Sequence, residues 1–280
     1  MLDKILAPNG LRPYSQLIVN VSEHRCQVAS LECLSRGPKG TPFESPTVLF
    51  DYARQRNAES VVDGHAIEIA LDALRLLPPR IGISVNVHAS TLGRDPGFVD
   101  RLVEVAGRNQ IECSRITIEI VEHSPAWNAC EFLRSIRRIR ASNFRIALDD
   151  IGTGQSNYRM ILDARPDCFK VDSYLVKGAH QDNNRRAILG SIVRLANELG
   201  SSVVAEGVET LEDLRPLMDL GITLIQGYLF CRALPTPELL RNLSIIEQRY
   251  GSWSAAGQSI DDHRKPGKAR SDETGNLRIA

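Results

Sequence analysis

Short apolar runs that end in a polar residue recur along this chain. Each run has the length and composition of a β-strand, and they lie at about 14–20, 26–35, 81–87, 115–120, 144–149, 167–172, 202–206 and 222–226. From the second run onward, helical patterns separate them, at Pro46–Asn57, Glu59–Leu77, Phe98–Arg108, Ala126–Ala141, Asn183–Leu199, Leu211–Leu220 and Pro237–Tyr250. This alternation predicts an α/β fold, a closed (βα)₈ barrel of the TIM type.

The first two predicted strands are joined only by Val21–Arg25. A parallel connection needs a crossover of a dozen or more residues, so these two strands must be antiparallel. We therefore expect a barrel whose first strand runs antiparallel to its neighbours. The predicted organisation is an N-terminal segment at 1–13, the barrel at 14–250, and a polar, disordered tail at 251–280.

Most of the predicted strands end in a polar residue. These residues are Glu32, Asn86, Glu119, Asp149 with Asp150, Lys170 with Asp172, Glu206 and Gln226. Polar residues at the C-terminal ends of successive strands are how a (βα)₈ barrel builds an active site. Several carboxylates that converge on one mouth repel one another and are costly to desolvate, so they are best explained by bound cations. The pattern predicts a metal-dependent enzyme.

The overall charge excludes some partners. The 34 Lys and Arg residues balance the 34 Asp and Glu residues. Such a balance gives no electrostatic case for binding long nucleic acid or an anionic membrane. The longest uncharged run, Leu220–Cys231, is too short to span a bilayer, and the N-terminus has no apolar signal region. The six cysteines form no C-x-x-C pair, as expected for reduced thiols in a cytoplasmic enzyme.

Five segments together resemble the EAL-domain phosphodiesterases, which cleave cyclic di-GMP. In the first, the family's E-x-L-x-R appears as Glu32-Cys33-Leu34-Ser35-Arg36. The others are Ser84–Val87, Ile118–Glu122, Leu148–Gly154 with Phe169–Asp172, and Val204–Thr210 with Ile225–Tyr228. The resemblance covers about residues 14–240 and implies hydrolysis of cyclic di-GMP to linear pGpG.

The resemblance also implies a two-metal site that uses Mg²⁺ or Mn²⁺, with Ca²⁺ as an inhibitor. It assigns Glu32, Asn86, Glu119 and Asp149 to one ion, with Asp149 bridging to a second ion that Asp150 binds. It further implies that Glu206 holds a water molecule beside the metal, that Lys170 contacts the attacking water, and that Gln226 orients the site. The implied substrate contacts are Arg36, Leu34, Asp172 and Gln226.

Several roles stay open at this stage. Lys170 is either a general base or a charged donor that fixes water and phosphate. Arg36 is either a phosphate ligand or part of a salt bridge at the rim. The whole chain is either an enzyme or a catalytically silent receptor for cyclic di-GMP. A metalloenzyme acting on another phosphoester is a further alternative, although Arg36 within E-x-L-x-R argues against it.

The segment Asp150–Tyr158 departs most from the family pattern. Side chains of adjacent strand residues point to opposite faces, so the Asp149-Asp150 pair needs a distorted strand end, which Gly152 and Gly154 would allow. The resemblance implies that Glu122 and Glu209 anchor loops near the site, and that the chain forms a homodimer.

Overall fold

The computed structural model describes residues 1–22, 25–121, 128–152 and 158–251. Within these residues, nine strands form one sheet that closes on itself. The strands are β1 (Arg12–Val21), β2 (Cys26–Arg36), β3 (Gly82–His88), β4 (Ile116–Val121), β5 (Arg145–Ile151), β6 (Cys168–Val171), β7 (Ser202–Ala205), β8 (Leu224–Gln226) and β9 (Leu234–Pro235). Strands β2 to β8 are parallel and follow in chain order.

Strand β1 closes the barrel in the direction that the short connection predicts. It pairs antiparallel with β2 on one side and with β8 on the other. The predicted (βα)₈ barrel with an antiparallel first strand is therefore confirmed. The small strand β9 pairs with the start of β1 through Tyr14 and Ser15, and it is too short to produce a periodic sequence signal.

Helices cover the outside of the barrel. In the described part of the chain they are α1 (Leu2–Ile5), α2 (Pro46–Gln55), α3 (Glu59–Leu74), α4 (Ala89–Arg94), α5 (Phe98–Arg108), α6 (Ala129–Ala141), α7 (Tyr158–Ala164), α8 (Ser173–Val176), α9 (Asn183–Leu199), α10 (Leu211–Asp219) and α11 (Thr236–Gly251). The seven predicted helices are present, whereas the short helices α1, α4, α7 and α8 were not predicted. Helix α6 begins at Ala129 instead of Ala126, because extended Asn128 caps it by accepting hydrogen bonds from two backbone amides.

The main hydrophobic core lies between the barrel wall and these helices, and includes Leu31, Ile83 and Ile118. A second, smaller cluster joins Ile5 of α1 to Leu49 of α2. Among the described residues, no helix is long and apolar enough to cross a membrane. The predicted division into 1–13, 14–250 and 251–280 stays a prediction, and all of the tail after Gly251 lies outside the described residues.

Candidate active site at the C-terminal mouth of the barrel

The predicted polar strand ends meet at one mouth of the barrel around Lys170. The Lys170 side chain is buried, and its Nζ lies 2.7 Å from Glu119 Oε2 and 2.7 Å from Glu206 Oε1. It lies 3.2 Å from Glu32 Oε2 and 3.3 Å from Asp149 Oδ1. Strands β2, β4, β5 and β6, and the residue that follows β7, each supply one of these groups. One ammonium thus faces four carboxylates.

Two amide side chains hold Glu32 in place. Asn86 Nδ2 donates to Glu32 Oε1 at 3.0 Å, and Gln226 Nε2 donates to Glu32 Oε2 at 2.6 Å. Gln226 also donates to Gln16 Oε1 at 3.3 Å. The two carboxylate oxygens of Glu32 are therefore held by residues from the two sides of β2, which gives the carboxylate one orientation.

The buried charges shift one another's pKa values. Burial disfavours a charge on Lys170, but the surrounding carboxylates, Asp149 first, outweigh burial and raise its pKa well above the usual range. Burial also raises the pKa of Glu119 strongly, and it raises the pKa of Glu206 to about 8 against the opposing charge of Lys170. Burial acts on Glu32 in the same sense, but Lys170 and the two amides lower its pKa overall. Lys170 alone does not balance the negative charge of the cluster.

The end of β5 is distorted so that both aspartates reach the mouth. The pairing of β5 with β6 shifts between Leu148 and Ile151, as in a β-bulge, and Asp150 has a φ of 54°. Gly152 follows with a φ of 109°, and a Cβ added there would lie 2.3 Å from Leu175 Cδ1. The predicted distortion is confirmed, and Gly152 permits it because this backbone conformation excludes a side chain.

The distortion brings three carboxylates together. Ligand atoms of Asp149, Asp150 and Glu206 lie within 4.8 Å of one another. Two buried oxygens keep unused lone pairs among the described residues: Gln226 Oε1 has no hydrogen-bond partner, and Asp149 Oδ1 has only the Lys170 ammonium at 3.3 Å. Carboxylate and amide oxygens with unused lone pairs and an excess of negative charge are what hard divalent cations require. The residues present therefore fit the predicted metal centre.

Two cavities flank the carboxylate cluster. The first, of about 300 Å³, is lined by Leu34, Arg36, Phe50 and the Asp149-Asp150 pair. Arg36 stacks over the Tyr14 ring, 5.2 Å from its centre, and makes no ion pair with any described residue. The alternative of a rim salt bridge thus finds no support in the described residues, whereas the phosphate contact of Arg36 and the substrate contact of Leu34 stay predictions.

The second cavity, of about 330 Å³, is lined by Lys170, Asp172, Gln226 and Glu209. Asp172 lies one residue beyond the end of β6, its backbone is still extended, and it lines the same cavity as Lys170. It also caps α8 by accepting a hydrogen bond from the Tyr174 amide at 2.7 Å. The predicted substrate contacts of Asp172 and Gln226 are untested.

Of the two predicted loop anchors, the structure describes Glu209 but not Glu122. Glu209 accepts a hydrogen bond from Lys177 Nζ at 2.8 Å, which ties the segment after β7 to the segment after α8. Glu122 lies outside the described residues, as do positions 153–157 of the unusual loop. The anchoring roles of both acids stay predictions.

Two site residues were missed by sequence reasoning. Gln16 is the register partner of Glu32 on β1 and also donates to the Cys231 carbonyl. Tyr14, which lies on β1 like Gln16, stacks its ring against the Arg36 guanidinium. Neither residue ends an apolar run, because β1 runs opposite to the other strands and presents its N-terminal half at this mouth. His88 is a buried histidine whose Nδ1 lies 2.8 Å from Asp63 Oδ1.

Comparison with known proteins assigns the chain to a family. The model of the EAL domain matches residues 1–233, so the chain belongs to the EAL domain family. A cyclic di-GMP phosphodiesterase, TpdA of Vibrio parahaemolyticus, is 32% identical over 54% of this chain and 26% of the relative. The blue light- and temperature-regulated antirepressor BluF of Escherichia coli is 29% identical over 54% of this chain and 38% of the relative. The chain thus spans well under half the length of these curated relatives.

A solved structure agrees with the barrel. BlrP1 of Klebsiella pneumoniae, in a complex with calcium and cyclic di-GMP, is 29% identical to this chain with a TM-score of 0.70. The match covers 81% of this chain and 56% of that chain, and a manganese complex of the same protein matches equally. The family and the barrel are therefore established, and relatives in the family act on cyclic di-GMP.

Proposed function

We propose that this domain hydrolyses cyclic di-GMP to linear pGpG with two divalent cations, Mg²⁺ or Mn²⁺. The observation that carries the proposal is the cluster at the barrel mouth, in which Lys170 lies within 3.3 Å of four carboxylates and still leaves negative charge unbalanced. The phosphodiesterase relative and the metal and cyclic di-GMP complexes of BlrP1 support the same substrate and cofactor class.

The residues divide between the two ions as follows. Glu32, Asn86, Glu119 and Asp149 would hold one ion, and Asp149, Asp150 and Glu206 lie close enough together to hold the other. When bound, a pair of divalent ions supplies a nucleophile at neutral pH and stabilises charge on the leaving oxygen. The bulge at the end of β5 would allow the adjacent aspartates to serve both ions.

The chain's own groups bind and orient the substrate. The guanidinium of Arg36 lies at the rim of the first cavity without an ion-pair partner among the described residues, and it is suited to bidentate contact with a phosphate. Gln226 holds Glu32 and so keeps a ligand in place. Lys170 donates hydrogen bonds as long as the carboxylates keep its pKa high, and a base role requires cations to take over that negative charge first.

An activity assay tests this proposal. Purified protein is incubated with cyclic di-GMP in Mg²⁺, Mn²⁺, Ca²⁺ or excess chelator, and the products are resolved by chromatography. We expect linear pGpG with Mg²⁺ or Mn²⁺, and inhibition by Ca²⁺ because its larger radius and looser coordination suit this geometry poorly. Asp150→Asn should abolish turnover, whereas Asp72→Asn, at an exposed position on α3, should not change it. Full turnover in chelator would rule out the two-metal mechanism.

A second candidate is a catalytically silent receptor or interaction protein. The observation that favours it is the similarity to BluF, whose name describes an antirepressor. Binding of cyclic di-GMP without turnover, in Mg²⁺ as in chelator, would favour this candidate. The chain has every carboxylate that the family resemblance assigns around Lys170, which favours the enzyme.

We also propose that the domain works in the cytoplasm as a homodimer, with Glu122 tethering the loop between Asp150 and Tyr158. Light scattering on the purified protein measures the mass. Mg²⁺ dependence of activity in wild type and Glu122→Ala tests the tether, because a ligand on an untethered loop pays its ordering cost when metal binds. Unchanged metal dependence in the variant would contradict the tether.

A further inference from the structure

A third cavity opens at the opposite, N-terminal end of the barrel. It has a volume of about 290 Å³ and reaches upward to Glu119 and Lys170. Bulky branched side chains usually fill the interior of a (βα)₈ barrel at this level. Here the inward positions are small, and they include Ser30, Gly82, Ser84, Thr117, Cys168 and Ser202. We call this space the lower cavity.

The lower cavity meets the candidate active site only at Glu119 and Lys170, which belong to the carboxylate cluster. A small apolar cluster of Ile18, Ala147, Cys168 and Val204 forms part of its wall. Arg80, Gly82 and Arg115, at the N-terminal ends of β3 and β4, place its opening at the far face from the carboxylate mouth. Apart from Glu119 and Lys170, its polar lining has no role in the proposed hydrolysis.

The lining of the lower cavity is strongly basic. It contains Arg80, Arg115 and Arg145 near the opening, against one acid, Glu119, which Lys170 balances. Arg80 is paired with Glu247 at 2.6 Å, and Arg115 donates to the carbonyls of residues 77, 78 and 81.

Arg145 differs from these two arginines. Its guanidinium makes no hydrogen bond or ion pair with any residue that the structure describes. The residue is exposed to solvent and lines the cavity, and its charge opposes the raised pKa that burial gives the Cys168 thiol. An unpaired guanidinium at the opening of a polar cavity is a ready donor for an anion.

Hydroxyl groups lie next to this guanidinium. Thr117 is the register partner of Arg145 on the neighbouring strand, and Ser84 is the register partner of Thr117. The hydroxyl of Thr117 also makes no hydrogen bond to a described residue. The side chains therefore combine a cation with adjacent neutral donors, which is the composition of a site for a phosphate group.

We propose that the lower cavity binds a small oxyanion, either inorganic phosphate or the phosphate of a phosphomonoester. Arg145 supplies the charge, and the hydroxyls of Thr117 and Ser84 supply further hydrogen bonds from the two neighbouring strands. The argument for this site does not use the proposed phosphodiesterase activity, so either proposal stands without the other.

Calorimetric titration with inorganic phosphate tests the site. The titration is done in chelator, at constant ionic strength set with chloride, on the wild-type chain and on three variants. Arg145→Gln removes the charge, and Thr117→Val removes one hydroxyl at nearly constant shape. Arg36→Gln is the control, because it removes the phosphate contact proposed for the candidate active site at the C-terminal mouth. Circular dichroism checks that the exposed position 145 tolerates substitution.

We expect saturable phosphate binding to the wild-type chain, weakened at least about tenfold by Arg145→Gln and less by Thr117→Val. Arg36→Gln should leave it unchanged. Absence of saturable binding to the wild-type chain overturns the proposal, and so does equal binding by wild type and Arg145→Gln. Competition by glycerol 3-phosphate identifies a phosphomonoester as an accepted occupant, and its failure restricts the site to free phosphate.

Discussion

Replacing Lys170 by Met removes the one cation that faces four carboxylates at the barrel mouth. Methionine has a similar length and no charge, so the change tests electrostatics more than packing. Lys170 and Glu119 are both 1% exposed, and their charged atoms are 2.7 Å apart. Removing one partner of such a buried pair leaves an uncompensated charge, which costs about 3–5 kcal/mol of unfolding free energy. We expect the upper part of this range, because Glu206 and Glu32 lose the same partner.

The assay is urea unfolding of both proteins in chelator, followed by circular dichroism. Lys177→Met is the matched control, since Lys177 pairs with Glu209 at 2.8 Å but is half exposed, and such pairs contribute about 0–1 kcal/mol. Saturating Mg²⁺ should recover part of the loss in Lys170→Met, because a ligand at about 100 times its Kd stabilises the folded state by about 2.7 kcal/mol.

Two results would refute this reasoning. If Lys170→Met lost no more stability in chelator than Lys177→Met, the carboxylate cluster would not depend on the ammonium. If Mg²⁺ stabilised neither wild type nor Lys170→Met, the unbalanced charge at the mouth would not represent a metal site.

Three further predictions follow from the same geometry. Lys170→Met should lower kcat by roughly 10²–10⁴-fold if Lys170 is a general base, and a much smaller fall with an unchanged pH profile would indicate the donor role. Glu32→Ala should abolish product formation on chromatography, because it removes a metal ligand, and measurable turnover at saturating Mg²⁺ would contradict this. Gly178→Ala should cost about 1–2 kcal/mol in urea unfolding, since its φ is 75° but the added methyl meets open space. Gly152→Ala should cost about 1–3 kcal/mol more, because its methyl would collide with Leu175, and equal costs would show that the turn after β5 relaxes freely.

The sequence predicted the convergence of Glu32, Glu119, Asp149 and Glu206, because the C-terminal ends of parallel strands meet at one mouth whatever the exact register. It did not predict that Lys170 binds all four acids. That arrangement depends on how far each strand is shifted along its neighbour as the barrel closes. The hydrophobic pattern of a single strand contains no information about this shift.

The features that the sequence did not predict all depend on contacts between elements that are distant in the chain. Helices of four to seven residues, such as α4 and α8, are too short for a periodic signal, so only tertiary packing stabilises them. The role of Gln16 was hidden because β1 is antiparallel, so its residues at the mouth lie in the first half of the strand and not at its C-terminal end. The lower cavity arises from small residues on several strands at one level, and no one of these residues is unusual in its own strand.

The two ends of the barrel carry opposite charge, and Lys170 lies between them. At the upper mouth its ammonium offsets carboxylates that would otherwise repel one another, so it stabilises the fold when no ion is bound. The same contacts compete with divalent cations for the lone pairs of Glu32, Glu119 and Asp149. Stability without metal and affinity for metal are therefore opposed at this residue. A lysine in this place fits a site that must fold before it is loaded, because a cluster of acids alone would depend on the cation for its folding.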